Sequence, residues 1–196
     1  MTKSLQNIQQ TLFQISDWEA LLPDKKSYFL DGKIIDMSPT SWDHGAIQAN
    51  LTTTIKTLIR TKKDLDTNQT DDWLIINEAS VKYKTNNSGF IHDIAGWKKS
   101  RWILPKISHA IDVSPDWVCE ILSPSNSSKD FVDVKQVLML EKVPHYWIVD
   151  IKRKCIIVYA IEDNYTIART FFLQGEKSLV IPPFNYPIDL EEIFNL

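Results

Sequence analysis

The sequence predicts an α/β domain built on one mixed β-sheet flanked by helices, and three observations predict it. Trp117 to Leu122 is almost continuously apolar, as a strand covered on both faces would be. A helical apolar pattern (Phe131, Val134, Val137, Leu138, Leu140) then runs to about Lys142, where Pro144 stops it, and Tyr146 to Val149 is a second apolar strand. Strand, helix, strand is a crossover unit and joins parallel neighbours. The remaining strands are joined by short turns and read as antiparallel, so the sheet is mixed.

Each element has its own local reason. Asp31-Gly32 separates Tyr28 to Leu30 from Lys33 to Ile35, a two-residue hairpin signal, and Pro39 ends the segment. A helix is expected from Asp43 to about Lys62, because Ile47, Leu51, Ile55, Leu58 and Ile59 recur at helical spacing. Its threonines lower helix propensity, so burial of that apolar face must hold it. Trp73 to Tyr83 reads as a strand, Asn86 to Gly89 as a turn, and Phe90 to Ala95 as the returning strand. Gly96 to Pro115 is irregular and rich in Lys, Trp and Pro. Ser127 lies three residues before Asp130, a helix-start signature. Lys152 to Lys154 turns the chain between Cys155 to Ile161 and the strand before it, and Tyr165 to Leu173 continues antiparallel.

With 196 residues, 43% hydrophobic and 24% charged, the chain reads as one domain over residues 1–196, with a core at about 28–160 and a C-terminal β extension to 196. That hydrophobic content excludes whole-chain disorder, and five glycines exclude a collagen-like chain. Two cysteines cannot build a disulfide framework, and a reducing compartment suits them. No apolar run is long enough to span a membrane, and the first residues lack the pattern of a signal peptide. A soluble, cytoplasmic protein without a membrane partner is expected. The net charge is −3, yet Lys82 to Lys106 holds six basic residues against one acid, Asp93. Such a stretch is either a solvated loop or a face for a polyanion. Trp97 and Trp102 stand among Lys98, Lys99 and Arg101, where they either stack on a nucleobase or pack on the sheet.

Glu120 is a charge inside an apolar strand, and such a group is rarely buried without a partner. It is either ion-paired at a strand end, or a metal ligand or general base at the C-terminal edge of a parallel strand, where α/β folds place sites. Asp116 cannot share an ion with it, because four residues of strand span ~13 Å. Asp93 can: it interrupts another apolar strand, and if the two strands pair, facing residues lie ~4.5–5.5 Å apart. Two acids that close favour a hard divalent ion between them. The chain has no Walker lysine loop, dinucleotide glycine fingerprint or Gly-x-Ser-x-Gly elbow, and its histidines lack zinc-site spacing.

Asp93, then Glu120-Ile121-Leu122-Ser123-Pro124-Ser125, then Asp133-Val134-Lys135 and Val143-Pro144-His145-Tyr146-Trp147, resemble the Uma-type restriction endonuclease family of the PD-(D/E)XK nuclease superfamily. Asp31 to Pro39 and His44-Gly45 fit its N-terminal pattern. The resemblance implies a restriction-endonuclease-like fold and a metal-dependent DNA endonuclease. Asp93 and Glu120 would bind Mg²⁺ (or Mn²⁺), with the Ile121 carbonyl as a further ligand, and His44 would be an accessory group. Two departures stand out: His92 precedes Asp93 where the pattern has proline, and Leu122 occupies the usual lysine position. Lys135, from the following helix, would then supply the cation that positions the attacking water. Lys98, Lys99 and Arg101 would meet DNA, and a homodimer would suit cutting both strands. The Leu122 departure motivates a second reading, a catalytically silent module that binds DNA or a protein.

Overall fold

A computed structural model describes residues 12–65, 72–102, 108–122, 129–162, 165–173 and 178–196. The Ser123-Pro124-Ser125 motif, the Ser127 helix-start signal and Lys106 lie outside the described residues. A short helix, α1 (Ile15–Leu21), precedes the hairpin β1 (Ser27–Leu30) and β2 (Lys33–Asp36). Asp31 and Gly32 both take positive φ, as the hairpin turn demands. The long α2 (Trp42–Leu65) follows, then β3 (Trp73–Tyr83), β4 (Ser88–Lys98) and β5 (Trp117–Ile121). A wide π-helical turn over Lys129–Val134 leads into α3 (Lys135–Leu140). β6 (His145–Asp150), β7 (Cys155–Glu162) and β8 (Tyr165–Phe172) continue the sheet. The C-terminal segment forms a separate two-stranded sheet, β9 (Ser178–Val180) with β10 (Pro187–Asp189), and ends in α4 (Leu190–Phe194).

The main sheet has eight strands in the order β2-β1-β4-β5-β6-β7-β8, with β3 on β4. β5 and β6 are parallel, joined through α3, and the other described pairs are antiparallel. Strand alternation divides the core between two faces. Trp117, Cys119, Ile121, Trp147 and Val149 pack with Ile47, Leu51 and Ile55 of α2 and with Phe184, Ile188 and Ile193 of the C-terminal unit. Val118, Tyr146 and Ile148 pack on the opposite face with Val134, Val137 and Leu138. The threonine-rich α2 is thus held by its apolar stripe, and the parallel pair is covered on both sides as its composition requires. Both cysteines are free and buried, and burial foremost pushes the Cys119 thiol well above its ordinary pKa. Among the described residues no helix is long and apolar enough to cross a membrane.

Candidate active site

β4 is paired with β3 along one edge from Ser88 to Lys98. Its other edge is shared by two strands. β1 meets it at Gly89, and β5 meets it from Ile94 to Gly96. Phe90 to Asp93 line the opening between β1 and β5. One more step in the β4–β5 register would set Asp93 opposite Glu120, and the ladder stops at that step. The carboxylates take over the amides that the ladder leaves. Ile121 N–H donates to Asp93 Oδ2 at 2.7 Å, and Asp93 N–H donates to Glu120 Oε2 at 3.4 Å. Each acid therefore binds backbone beside the other, and both are buried.

A kink shared by β3 and β4 aims these groups. Trp73 and Ile75 face α2, whereas Ala79, Val81 and Tyr83, at the same parity, face α3. β4 switches as well, since Ile94 faces α2 and Phe90 faces α3. Strict alternation would keep each set on one face. The switch lies at Glu78, whose φ is +51°, and the β3–β4 pairing omits the Glu78–Asp93 pair while holding register on both sides. A left-handed non-glycine residue costs about 1–2 kcal/mol and persists where its surroundings impose it.

Side chains from both faces close on the pair. From α2, His44 Nε2 lies 3.1 Å from Asp93 Oδ1. The contact is off the line of a hydrogen bond: neither ring nitrogen of this buried histidine has an aligned partner among the described residues. Burial alone would lower the His44 pKa, but the Asp93 contact and the charges of Asp93, Glu120 and Glu78 outweigh it and raise it. Gln48, one turn further along α2, donates to the Asp93 carbonyl at 2.6 Å and to Glu78 Oε1 at 3.3 Å. Lys26 Nζ holds Glu78 Oε2 at 2.6 Å. On the α3 side, His92 Nδ1 lies 2.6 Å from Glu120 Oε1, and Tyr83 OH lies 2.7 Å from His92 Nε2.

Among the described residues no three His, Cys, Asp or Glu side chains form a ready metal cage. That argues against a closed zinc site, which takes four protein ligands. Magnesium keeps several waters and is held by one or two carboxylates, so a buried Asp–Glu pair beside an unsatisfied histidine fits a hard divalent ion.

The other sequence candidates are more dispersed. Ile121 is beside the pair, its amide bound by Asp93. Lys135 is the first residue of α3, and its ammonium stands 5.0 Å from the centre of the Tyr159 ring. Tyr159 is paired with Tyr146 on β6, so Lys135 lies over the face that Glu120 shares with Val118, but above β7. Lys98, Lys99 and Arg101 sit where β4 ends, beside the start of β5. Lys99 pairs with Asp72 at 3.0 Å, and Arg101 pairs with the buried Asp116. Lys98 Nζ is 5.9 Å from the Trp73 ring centre. Asp116 and Glu120 are separated by ~13 Å of strand, so this cluster is at the far end of β5 from the carboxylates. Trp97 is fully buried and packs edge-on against Trp102, so that pair packs on the sheet.

Four residues of the site went unassigned in the sequence. Glu78 and Gln48 carry no local signal, since a polar residue in a half-buried strand or helix is ordinary. Tyr83 reads as one more apolar strand residue. His92 had a signal: a histidine between apolar Phe90, Ile91, Ile94 and Ala95, where the related pattern has proline.

A family model described as "Uma2: Putative restriction endonuclease" matches residues 13–190. One similar solved structure is "a putative nuclease belonging to DUF820" from Anabaena variabilis, 19% identical, with a TM-score of 0.69, covering 93% of this chain and 98% of that one. At that identity the likeness speaks for the fold. No curated protein matches the chain. A match over residues 13–190, on a restriction-endonuclease-like sheet with the two acids at its opened ladder, makes the chain a member of the Uma2 family.

Proposed function

We propose that this protein is a metal-dependent nuclease that hydrolyses DNA phosphodiester bonds. The observation that carries the reading is the meeting of Asp93 and Glu120 where the β4–β5 ladder opens, each bound to backbone beside the other. Asp93, Glu120 and the Ile121 carbonyl would hold Mg²⁺, or Mn²⁺ in its place. Such an ion, when bound, lowers the pKa of water and offsets the charge that develops on phosphate. The protein's own groups do the rest. His44 lines the Asp93 side and can contact a phosphate oxygen or orient a water. Gln48 fixes the Asp93 backbone. Lys135 lies over the Glu120 face and would replace the missing lysine at Leu122, and its long stem lets the ammonium leave the Tyr159 ring. Lys98, Lys99 and Arg101 would meet flanking phosphates, Lys99 and Arg101 by exchanging Asp72 and Asp116. The same reading places the protein in the cytoplasm and favours a twofold dimer for cutting both strands.

Leu122, and the seating of Lys135 on Tyr159, favour a second reading: a silent nuclease-fold module that binds DNA or a protein without cutting. Cleavage by the wild type with Mg²⁺ or Mn²⁺ separates the two, and Lys135→Ala tests the role of Lys135. Under the nuclease reading its fold is intact and its Mg²⁺-dependent cleavage falls at least ~100-fold, the loss typical of removing one transition-state donor. A variant that cleaves like wild type would refute the role of Lys135. A wild type that binds DNA but leaves it uncut with Mg²⁺ and Mn²⁺ would favour the module.

A further inference from the structure

The metal-site reading leaves unexplained a buried polar pair beneath Glu120. His92 is fully buried, a cost that only well-made hydrogen bonds offset. Its two ring nitrogens lie 2.6 Å from Glu120 Oε1 and 2.7 Å from the Tyr83 hydroxyl. The ring is stacked on Phe90 (centroids 6.0 Å apart, 28° between planes) and meets the Tyr83 ring edge-on at 5.8 Å. Tyr83 is itself fully buried. Burial first, then the charges of Glu120 and Glu141, push its phenol well above the ordinary pKa, so it remains protonated.

The Asp93 amide, 3.4 Å from Glu120 Oε2, makes a long hydrogen bond. The His92 contact is short and, with a carboxylate acceptor, of the strong kind. The backbone fixes where the imidazole sits, since β4 stays in register with β3 through the Ala79–His92 pair. The proline of the related pattern could make no such contact, having no polar side chain.

We propose that His92 and Tyr83 are positioning residues for Glu120. His92 donates its Nδ1–H to Glu120 Oε1 and locks the carboxylate's rotamer, while the Tyr83 hydroxyl locks the imidazole from behind. Glu120 is thereby aimed at the opening before any ion arrives. The inference rests on the metal-site reading above, and it assigns the residue standing in place of proline a specific task. Groups that orient a ligand in this way typically carry ~10–100-fold of metal affinity when removed.

The test is Mn²⁺ binding to the full chain, followed by electron paramagnetic resonance of the free ion, with the fold of each variant checked by circular dichroism. His92→Leu should bind Mn²⁺ ~10–100-fold more weakly. His92→Asn should recover most of the affinity, because its side-chain amide nitrogen falls where Nδ1 was. His92→Gln should not, because its amide extends toward Tyr83. Recovery by Asn alone is a result that mere filling of the space would not produce. Nitrogen-15 spectra of the metal-free wild type should show Nδ1 of His92 protonated, with a signal that shifts in Glu120→Gln. Unweakened binding by a folded His92→Leu, equal recovery by Asn and Gln, or an unprotonated Nδ1 would each overturn the inference. Should wild type bind Mn²⁺ no more tightly than Glu120→Gln, the metal-site reading fails, and the Nδ1 signal still decides whether His92 holds Glu120.

Discussion

At Glu78 the backbone adopts a φ of +51°, which glycine would take without steric cost. The side chain is held by Lys26 and Gln48 on the edge of the site. Glu78→Gly relieves ~1–2 kcal/mol of left-handed strain. It loses ~0.5–1 kcal/mol to glycine's chain entropy, and an exposed ion pair of ~0.2–1 kcal/mol. Its stability in urea unfolding should therefore stay within about 1 kcal/mol of wild type, while cleavage falls as the Gln48 anchor loosens. Glu78→Val, β-branched at a left-handed position, should be clearly destabilised. Equal losses of stability in both variants would show that the kink is unstrained. This residue was invisible in the sequence for a definite reason. The buried residues of β3 (Trp73, Ile75, Ala79, Val81 and Tyr83) all lie at odd parity, but the first two are covered by α2 and the last three from the α3 side. Alternation records that a residue is buried and is silent about which layer buries it. Glu120 and Asp93 were legible because a charge interrupting an apolar strand needs a partner, whichever face it takes.

Among the elements, α1 has no signal in the sequence. Seven residues give too short a window for a helical period. What fixes it is tertiary. Trp18 is fully buried against Gly89 of β4, where an added Cβ would overlap the indole, and its Nε1–H donates to the Ser27 carbonyl at 2.9 Å. Glu19 then ties α1 to β3 through Lys82 at 2.7 Å and accepts from the Ser108 hydroxyl. Burial would raise the Glu19 pKa, but those two partners outweigh it and leave it below its usual 4.5. A depressed carboxylate contributes stability above its unfolded pKa and loses it as pH falls through the folded value. Glu19→Gln should thus cost ~0.5–1 kcal/mol at pH 7, with the difference fading as pH falls below the usual 4.5 and the carboxylate takes up its proton. A difference that persisted in acid would assign the effect to packing rather than charge. The crossover unit was the easiest element to read, since length, apolar runs and Pro144 all agreed. Its detail was not: the regular helix begins at Lys135, after a π-helical turn that no local residue pattern announces.

For the whole molecule, two helical layers clamp one sheet, and the sheet opens where β1 and β5 part along β4. The sequence showed the layers, because apolar pattern dictates what must be covered. It did not show that residues 178–196 leave the main sheet and pack as β9, β10 and α4 on the α2 face, since which surface three-residue strands choose depends on the finished core. Nor did it show that the basic stretch would be occupied by Asp72 and Asp116, which lie far from it or inside a turn in the chain. The opening is what the whole arrangement serves: it places two buried carboxylates at a break in a hydrogen-bonded ladder, within reach of groups from both layers. The most direct measurement is cleavage of supercoiled plasmid and duplex oligonucleotides by wild type, Asp93→Asn and Glu120→Gln, with Mg²⁺ or Mn²⁺ and with chelator. Wild type should cut with either ion and not with chelator, and each variant should lose at least ~100-fold while its fold is retained, if metal-dependent chemistry at this carboxylate pair does the cutting. Cutting that survives chelation or both substitutions would contradict it.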